Sequence, residues 1–196
     1  MLLKTSNFDD VVALKATSGV NPIEGTRLAF LAGHVPDGGI VVEIGSCWGR
    51  SASYMASALK DCKINAMIYC VDLWDLGVGR TPERHHNPGA FRQFERNLKR
   101  LELWDYVMPV KSDSVKAAKT WSTPIDLLYV DGGHKYHEVL ADYEGWGKFV
   151  KPGGIIAFHD YNHKDVRMMI NRFVKPSKEW CNYQLIERVW SAERCR

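Results

Sequence analysis

Residues 40–51, Ile40-Val41-Val42-Glu43-Ile44-Gly45-Ser46-Cys47-Trp48-Gly49-Arg50-Ser51, join an apolar run ending in a carboxylate to two glycines four apart and then to small residues. An apolar run of that length reads as a buried strand, the glycines as a tight backbone turn and the small residues as a helix start. This order predicts an α/β chain that binds a nucleotide-like ligand at the turn, where the missing side chains let the backbone approach it. The spacing narrows the ligand: a dinucleotide fold places Gly-x-Gly-x-x-Gly after its first strand, whereas this chain has Glu-x-Gly-x-x-x-Gly. The Glu43 carboxylate would repel a pyrophosphate, yet it suits a cofactor carrying an ammonium and a sulfonium. Alone, the motif also fits a purely structural strand–helix corner, and the order of elements along the rest of the chain decides between the two.

That order is an alternation of helices and strands. Asn21-Pro22-Ile23-Glu24 supplies a cap, a proline at the first helical position and an acid at the third, so a helix is expected to about His34, before Pro36-Asp37-Gly38-Gly39 breaks it. Glu24 is then a capping residue rather than part of a site. Strand one is Ile40–Ile44, and a helix rich in Ala and Ser runs from Gly49 to Lys60. Strand two, Ala66–Val71, ends in Asp72; a loop from Gly77 to Gly89 carries Arg80, Arg84, His85 and His86, and a helix resumes with Phe91, Phe94, Leu98 and Leu101 at helical spacing. Tyr106–Val110 is a third strand, closed by Lys111-Ser112-Asp113-Ser114 and succeeded by another helix. Strand four, Ile125–Val130, ends in Asp131-Gly132-Gly133-His134, and the helix after it shows a stripe of Val139, Tyr143, Trp146 and Val150. Lys151-Pro152-Gly153-Gly154 turns the chain into strand five, Ile155–Phe158, ended by His159-Asp160. A last helix runs through Val166, Ile170 and Phe173, and Tyr183–Val189 reads as a strand although its alternation is weak.

At 196 residues the chain is sized for one domain, a helical cap over residues 1–36 and an α/β core over 37–196. A formal charge of +3 is too mild to argue for nucleic-acid binding, and 45% hydrophobic with 25% charged residues is ordinary globular composition. The longest apolar runs, such as Ile125–Val130, are strand-length, so no membrane span is expected, and Met1-Leu2-Leu3-Lys4 lacks the shape of a secretory signal. Five cysteines (Cys47, Cys62, Cys70, Cys181, Cys195), an odd number without a Cys-x-x-Cys pair, argue against a disulfide framework or a zinc ribbon. A cytoplasmic chain with reduced thiols is expected, open to forming a homo-oligomer.

Strands alternating with helices predict a parallel sheet whose right-handed crossovers bring the strand C-termini to one edge, where ligands bind. Glu43, Asp72, Asp113, Asp131 and Asp160 each stand at or just past the end of a strand. Asp72 is placed to accept both hydroxyls of a ribose, or else to serve as a helix N-cap or turn acid. Ser112 and Asp113 could accept an adenine amino group, although Ser-Asp-Ser is also a common helix start.

The segments 42–51, Val71-Asp72, 129–134 and 151–160 resemble class I S-adenosylmethionine-dependent methyltransferases, with the likeness running from about Asn21 to Asp160. Within that superfamily the chain is most similar to small O-methyltransferases related to the macrolide-sugar and cephalosporin-tailoring enzymes, with catechol O-methyltransferases further away. The resemblance implies a Rossmann-like, doubly wound, seven-stranded sheet, mostly parallel with a reversed last strand and helices on both faces, its last two strands coming from Tyr183 onward. It implies that Glu43, Gly45, Ser46, Trp48 and Gly49 surround the methionine moiety of S-adenosylmethionine, with Asp72 at the ribose and Ser112 and Asp113 at the adenine. Ser51, Leu73 and Asp131 belong to the same cofactor-binding set. In related metal-dependent enzymes, acids matching Asp131 and Asp160 hold a divalent ion against substrate oxygens. Those enzymes usually place an acid or amide beside the second aspartate; here its neighbours are His159 and Tyr161. Asp131, His159 and Asp160 are thus the candidate ligands for magnesium or manganese, the alternative being that the acids only orient the cofactor.

His134, close to Asp131, is the candidate general base, because an unperturbed imidazole titrates near working pH; the alternative is a histidine that fixes its own loop. The Gly77–Gly89 loop reads either as a solvated loop or as a lid whose arginines pair an acidic acceptor. The expected reaction is in-line attack of a deprotonated hydroxyl on the sulfonium carbon, the acceptor being a sugar or secondary metabolite first and a catechol-like phenol second. No nucleic-acid or membrane partner is expected. A nonenzymatic module binding the cofactor or another adenosine ligand is the alternative, and an NAD-binding oxidoreductase is disfavoured by the glycine spacing.

Overall fold

The computed structural model describes residues 2–14, 19–74 and 89–196. In chain order the elements are α1 (Phe8–Val12), α2 (Pro22–Ala32), β1 (Ile40–Ile44), α3 (Arg50–Cys62), β2 (Met67–Asp72), α4 (Ala90–Arg100), β3 (Val107–Lys111), α5 (Ser114–Thr120), β4 (Ile125–Val130), α6 (Tyr136–Trp146), β5 (Val150–Phe158), α7 (Lys164–Met169), β6 (Trp180–Ile186) and β7 (Val189–Arg194). The seven strands form one sheet in the order β3-β2-β1-β4-β5-β7-β6. β1 to β5 pair in parallel, and β7 runs antiparallel between β5 and β6. The doubly wound sheet with one reversed strand, expected from the resemblance, is what forms.

Parallel strands covered on both faces need near-continuous apolar runs, and β4 is buried at all six residues. Its one acid, Asp126, is tolerated because Oδ2 accepts the Ile40 N–H at 2.9 Å and the Lys151 ammonium pairs with Oδ1. Strand alternation sends Val41, Leu127, Tyr129 and Ala157 into a core under α1 to α4, and Val42, Leu128, Ile156 and Phe158 into a second core under α5 to α7. α2 starts with a capping box: Asn21 Oδ1 accepts from Glu24 N at 2.9 Å, and Glu24 Oε2 accepts from Asn21 N at 2.8 Å. The small residues of α3, Ser51 to Ser53 and Ala56 to Ala58, are all buried, which lets that helix lie close to its neighbours.

Three local expectations change. Lys151-Pro152-Gly153-Gly154 lies inside a nine-residue β5, whose register against β4 shifts between Ile125 and Leu127, so the glycines bend a strand instead of preceding one. Val150 opens that strand and does not belong to the stripe of α6, which ends at Trp146. Tyr183–Val189 is not one strand: it covers the end of β6, a turn with Glu187 at φ 52, and the start of β7, and this crossing explains its weak alternation. Arg80, Arg84, His85 and His86 of the expected lid loop lie outside the described residues.

The ladder also fixes the residues just past the strands. Gly45 N donates to Val71 O at 2.9 Å, Ser112 N to Asp72 O at 3.0 Å, Asp131 N to Ile44 O at 2.8 Å and His159 N to Val130 O at 3.0 Å. Each post-strand residue is therefore pinned to its neighbour, and their side chains stand along one edge. Gly45 and Gly49 adopt left-handed φ values of 90° and 83°. A Cβ on Gly45 would come closer than 3.0 Å to the Asp131 carbonyl, and one on Gly49 would run into Leu98 and Phe94 of α4. The motif alone suggests that these gaps are reserved for a ligand; the structure fills them with the chain itself.

Gly38, at φ 72 with nothing near its absent Cβ, separates strain from collision. Gly38→Ala is expected to destabilise by about 1–2 kcal/mol and Gly45→Ala by about 3 kcal/mol or more, measured by urea denaturation. Equal losses would show that the Asp131 loop gives way freely.

Candidate active site

The glycine turn is locked to the end of β2. Asp72 Oδ2 accepts the Cys47 N–H at 2.8 Å and Oδ1 accepts the Trp74 N–H at 2.7 Å, while Trp74 Nε1 donates to the Cys47 carbonyl at 2.7 Å. From α4, Asn97 Nδ2 holds the Trp48 carbonyl at 2.8 Å. Each Asp72 oxygen retains a lone pair, so it can still accept a ligand hydroxyl; Leu73, half-buried, comes directly after it. Asp113 caps α5 by accepting from Lys116 N at 3.1 Å, and Ser112 Oγ donates to the Asp113 carbonyl at 3.0 Å, so the helix-start reading of Ser-Asp-Ser accounts for both contacts.

Below the turn lies Glu43, fully buried on the α3 side of β1. Neither carboxylate oxygen is in hydrogen-bond geometry with a partner among the described residues, and the same holds for Ser46 Oγ and Trp48 Nε1. Burial pushes the Glu43 carboxyl up to about 7, the nearby Ser46 and Ser51 hydroxyls pulling it partway back and the Asp131 charge adding to the rise. Buried polar atoms without partners, gathered at one turn, are what a polar ligand would satisfy.

A second cluster occupies the ends of β4 and β5. His134 Nε2 lies 2.9 Å from Asp160 Oδ2 and 3.8 Å from Asp131 Oδ1, and its side chain is 47% exposed. His159, 2% exposed, sits behind the two acids: Nδ1 is 3.2 Å from Asp131 Oδ1 and 3.3 Å from Asp160 Oδ1, and Nε2 is 3.1 Å from Glu24 Oε2. Tyr129 donates its hydroxyl to Asp131 Oδ2 at 3.2 Å. Hydrogen bonding to Asp131 and then to Asp160, with the charges of both adding, holds the His134 proton on, up to about 9, against the pull of partial burial. For His159 burial works against the proton, but the surrounding carboxylates prevail and push it up to about 11. Burial raises Asp131 and Asp160, and the imidazoles more than offset it, leaving both below the ordinary carboxylate value.

This geometry bears on two expectations. Asp131, His134 and Asp160 offer ligand atoms within 4.8 Å of one another, a grouping that includes His134 beside the expected acids. Each His159 ring nitrogen faces a carboxylate oxygen, so each carries a proton there and neither has a lone pair to offer a metal. His134 is also not an unperturbed imidazole, and its proton is held past neutral pH.

Glu24 and Arg188 were missed by sequence reasoning. Glu24 is the predicted cap, yet its wholly buried carboxylate also takes His159 and a two-pronged contact from Arg188, whose Nε and Nη2 each lie 2.8 Å from a Glu24 oxygen. Arg188 Nη1 reaches Asp160 Oδ1 at 2.8 Å. The capping box signals only half of what Glu24 does, and no local pattern marks an arginine whose partner is 164 residues away.

A parallel sheet with one reversed strand, a glycine turn after β1 and acids along the strand ends define the class I S-adenosylmethionine-dependent methyltransferase fold. The methyltransferase-domain family model matches residues 42–161, and the chain belongs to that family. An uncharacterized protein of Sinorhizobium fredii is 29% identical over 123 residues, covering 61% of this chain but only 13% of that protein. Among solved structures, the O-methyltransferase TomG from Streptomyces achromogenes, in complex with S-adenosylmethionine, has a TM-score of 0.72 at 12% identity, covering 100% of this chain and 92% of that one. An rRNA methylase from Streptococcus thermophilus has a TM-score of 0.65 at 14% identity, covering 91% and 100%. At such identities the likeness is one of fold, and it spans small-molecule and RNA methylases alike. No helix among the described residues is long and apolar enough to cross a membrane.

The rise of the Glu43 carboxyl from 4.5 to about 7 carries a sign. Ionising it in the folded protein is penalised, so the penalty is absent below the unfolded value, builds between about pH 4.5 and 7, and reaches about 3 kcal/mol above that. Without ligand, Glu43→Gln should therefore melt higher than the parent at pH 8, and the two should converge near pH 4. A variant no more stable at pH 8 would mean that a cation of the chain already serves Glu43.

Proposed function

We propose that this chain is an S-adenosylmethionine-dependent O-methyltransferase acting on a hydroxyl of a small polar acceptor, a sugar or secondary metabolite. The observation that supports the reading most is Glu43, a buried carboxylate that no cation of the described residues neutralises, beneath the glycine turn. A charge so placed calls for a cation, and a ligand bearing an ammonium and a sulfonium brings two. Trp48 Nε1 is available to donate to the carboxylate of an amino-acid moiety, and Ser46 borders the same turn. In this reading Gly45, Gly49 and Ser51 shape the turn, Asp72 and Leu73 meet the ribose, Ser112 and Asp113 flank the adenine, and Asp131 closes the methyl-transfer side. Residues 1–36 cap the same domain, and five cysteines without a disulfide suit a cytosolic chain.

When bound, the cofactor supplies a methyl group on a positively charged sulfur, open to in-line attack. The chain's own part is to hold the acceptor oxygen, remove its proton and exclude water. Half-exposed His134 is the group that takes the proton, through Nδ1, while its Nε2–H faces Asp160 at 2.9 Å, which stabilises the imidazolium. With its proton held to about 9, only about one molecule in a hundred carries neutral His134 at pH 7.

Turnover is therefore expected to rise about tenfold per pH unit from 7 toward 9 and then level off. His134→Ala should bind the cofactor within about twofold of the parent, lose about 100-fold or more in turnover and lose that pH rise. A pH profile unchanged by the substitution would remove His134 from the reaction.

The acceptor class is tested by incubating the chain with methyl-labelled cofactor and a panel of sugars, phenols, nucleotides and ribosomal RNA. Label on a small hydroxyl compound is the expected outcome. Label on RNA alone would favour the reading suggested by the rRNA methylase's shared fold. Cofactor binding without transfer to any class would favour the nonenzymatic module.

A further inference from the structure

The resemblance drawn from the sequence brings a divalent ion to Asp131 and Asp160. Distance alone admits one, since Asp131, His134 and Asp160 offer ligand atoms within 4.8 Å of one another. The donor set does not suit it. Asp160 Oδ1 accepts from Arg188 Nη1 at 2.8 Å and its Oδ2 faces His134 Nε2 at 2.9 Å. Asp131 Oδ1 faces His159 Nδ1 at 3.2 Å and its Oδ2 accepts from Tyr129 at 3.2 Å. All four oxygens already face donors, and the nearest of these is a guanidinium, which keeps its charge at every accessible pH.

Nor is Arg188 able to swing aside at little cost. Its Nε and Nη2 hold the two oxygens of Glu24 at 2.8 Å each, and Nη2 also donates to the Gly19 carbonyl. The Arg188 N–H points to Glu24 Oε1 at 3.3 Å and its carbonyl accepts from Tyr161 N at 3.0 Å, so backbone and fork are both fixed. A dication on Asp160 would sit within a few ångströms of a charge that cannot leave or be neutralised.

We propose that Arg188, in the β6–β7 turn, supplies from within the chain the positive charge that a divalent ion would bring to Asp160, so that the site works without a metal. Arg188 is then a positioning residue: it fixes the ionised Asp160 carboxylate, which in turn orients His134. That Asp160 and His134 serve methyl transfer rests on the function proposed above; the exclusion of a dication rests on the charges alone.

The test is a manganese titration of the intact chain monitored by electron paramagnetic resonance, in which bound ion loses the sharp signal of free ion. The parent chain is expected to leave the free-ion signal undiminished, and Arg188→Lys, which keeps the charge, to do the same. Arg188→Met should take up one manganese, with affinity raised about 100-fold or more. Because that change strands the buried Glu24 charge, the double variant Glu24→Gln with Arg188→Met, which leaves neither group unpaired, should also gain the ion. Stoichiometric uptake by the parent would overturn the proposal, as would a folded Met variant that stays blind to manganese. Calorimetric titration of the same preparations with S-adenosylmethionine reports separately on the methyltransferase reading: absence of heat there would sink that reading and leave the manganese result standing.

Discussion

The Glu24 carboxylate holds the site together from behind. It is fully buried at the first turn of α2, and a lone charge in that position would be prohibitive. It is tolerable because Asn21 N, His159 and the Arg188 fork all converge on its two oxygens. Burial raises its carboxyl, but the bonds from His159, Asn21 and Arg188 outweigh that and leave it below the usual value. Since those partners come from the start of α2, the end of β5 and the β6–β7 turn, one carboxylate ties both halves of the chain to the rear of the strand ends. Removing one member of such a group typically destabilises by about 3–5 kcal/mol, because a buried charge is stranded.

From there the charges alternate outward: Glu24, then His159 and Arg188, then Asp131 and Asp160, then His134 at the surface. Three carboxylates face three cationic groups, so every proton on an imidazole is stabilised and every carboxylate stays ionised. A histidine that in isolation would titrate near neutrality becomes a reluctant base. In the proposed reaction, the readiness of His134 to take a proton would be governed by the carboxylates that hold it, more than by the imidazole itself.

Much of the fold was legible because its signals are local. β1 and β4 match their expected bounds residue for residue, since each is an apolar run closed by turn residues, and the α2 start comes from a four-residue cap pattern. Legibility failed where local pattern and pairing disagree: Pro152 and Gly153 look like a turn but lie in a strand that shifts register, and Tyr183–Val189 conceals a hairpin turn. In the site, the strand-end acids could be read because topology places them in a row. Glu24 and Arg188 could not, since only the closed sheet brings together residues 164 apart, and the pKa of His134 depends on neighbours that no spacing reveals.

Strand alternation puts Glu43, Tyr129 with Asp131, and His159 on one face of the sheet, so the two charged groups are neighbours with opposite needs. At β4 and β5 the acids are matched by cations of the chain, and a positive ligand gains little there. At β1 the Glu43 carboxylate has no such match among the described residues and remains half-neutral at pH 7. In the function proposed above, a ligand bearing an ammonium and a sulfonium would gain more at the glycine turn than at Asp160, and binding there would relieve the folded chain of a charge that no cation of the described residues neutralises. On that proposal, the same imbalance that weakens the unliganded protein would select where the ligand sits and leave His134 to face the acceptor.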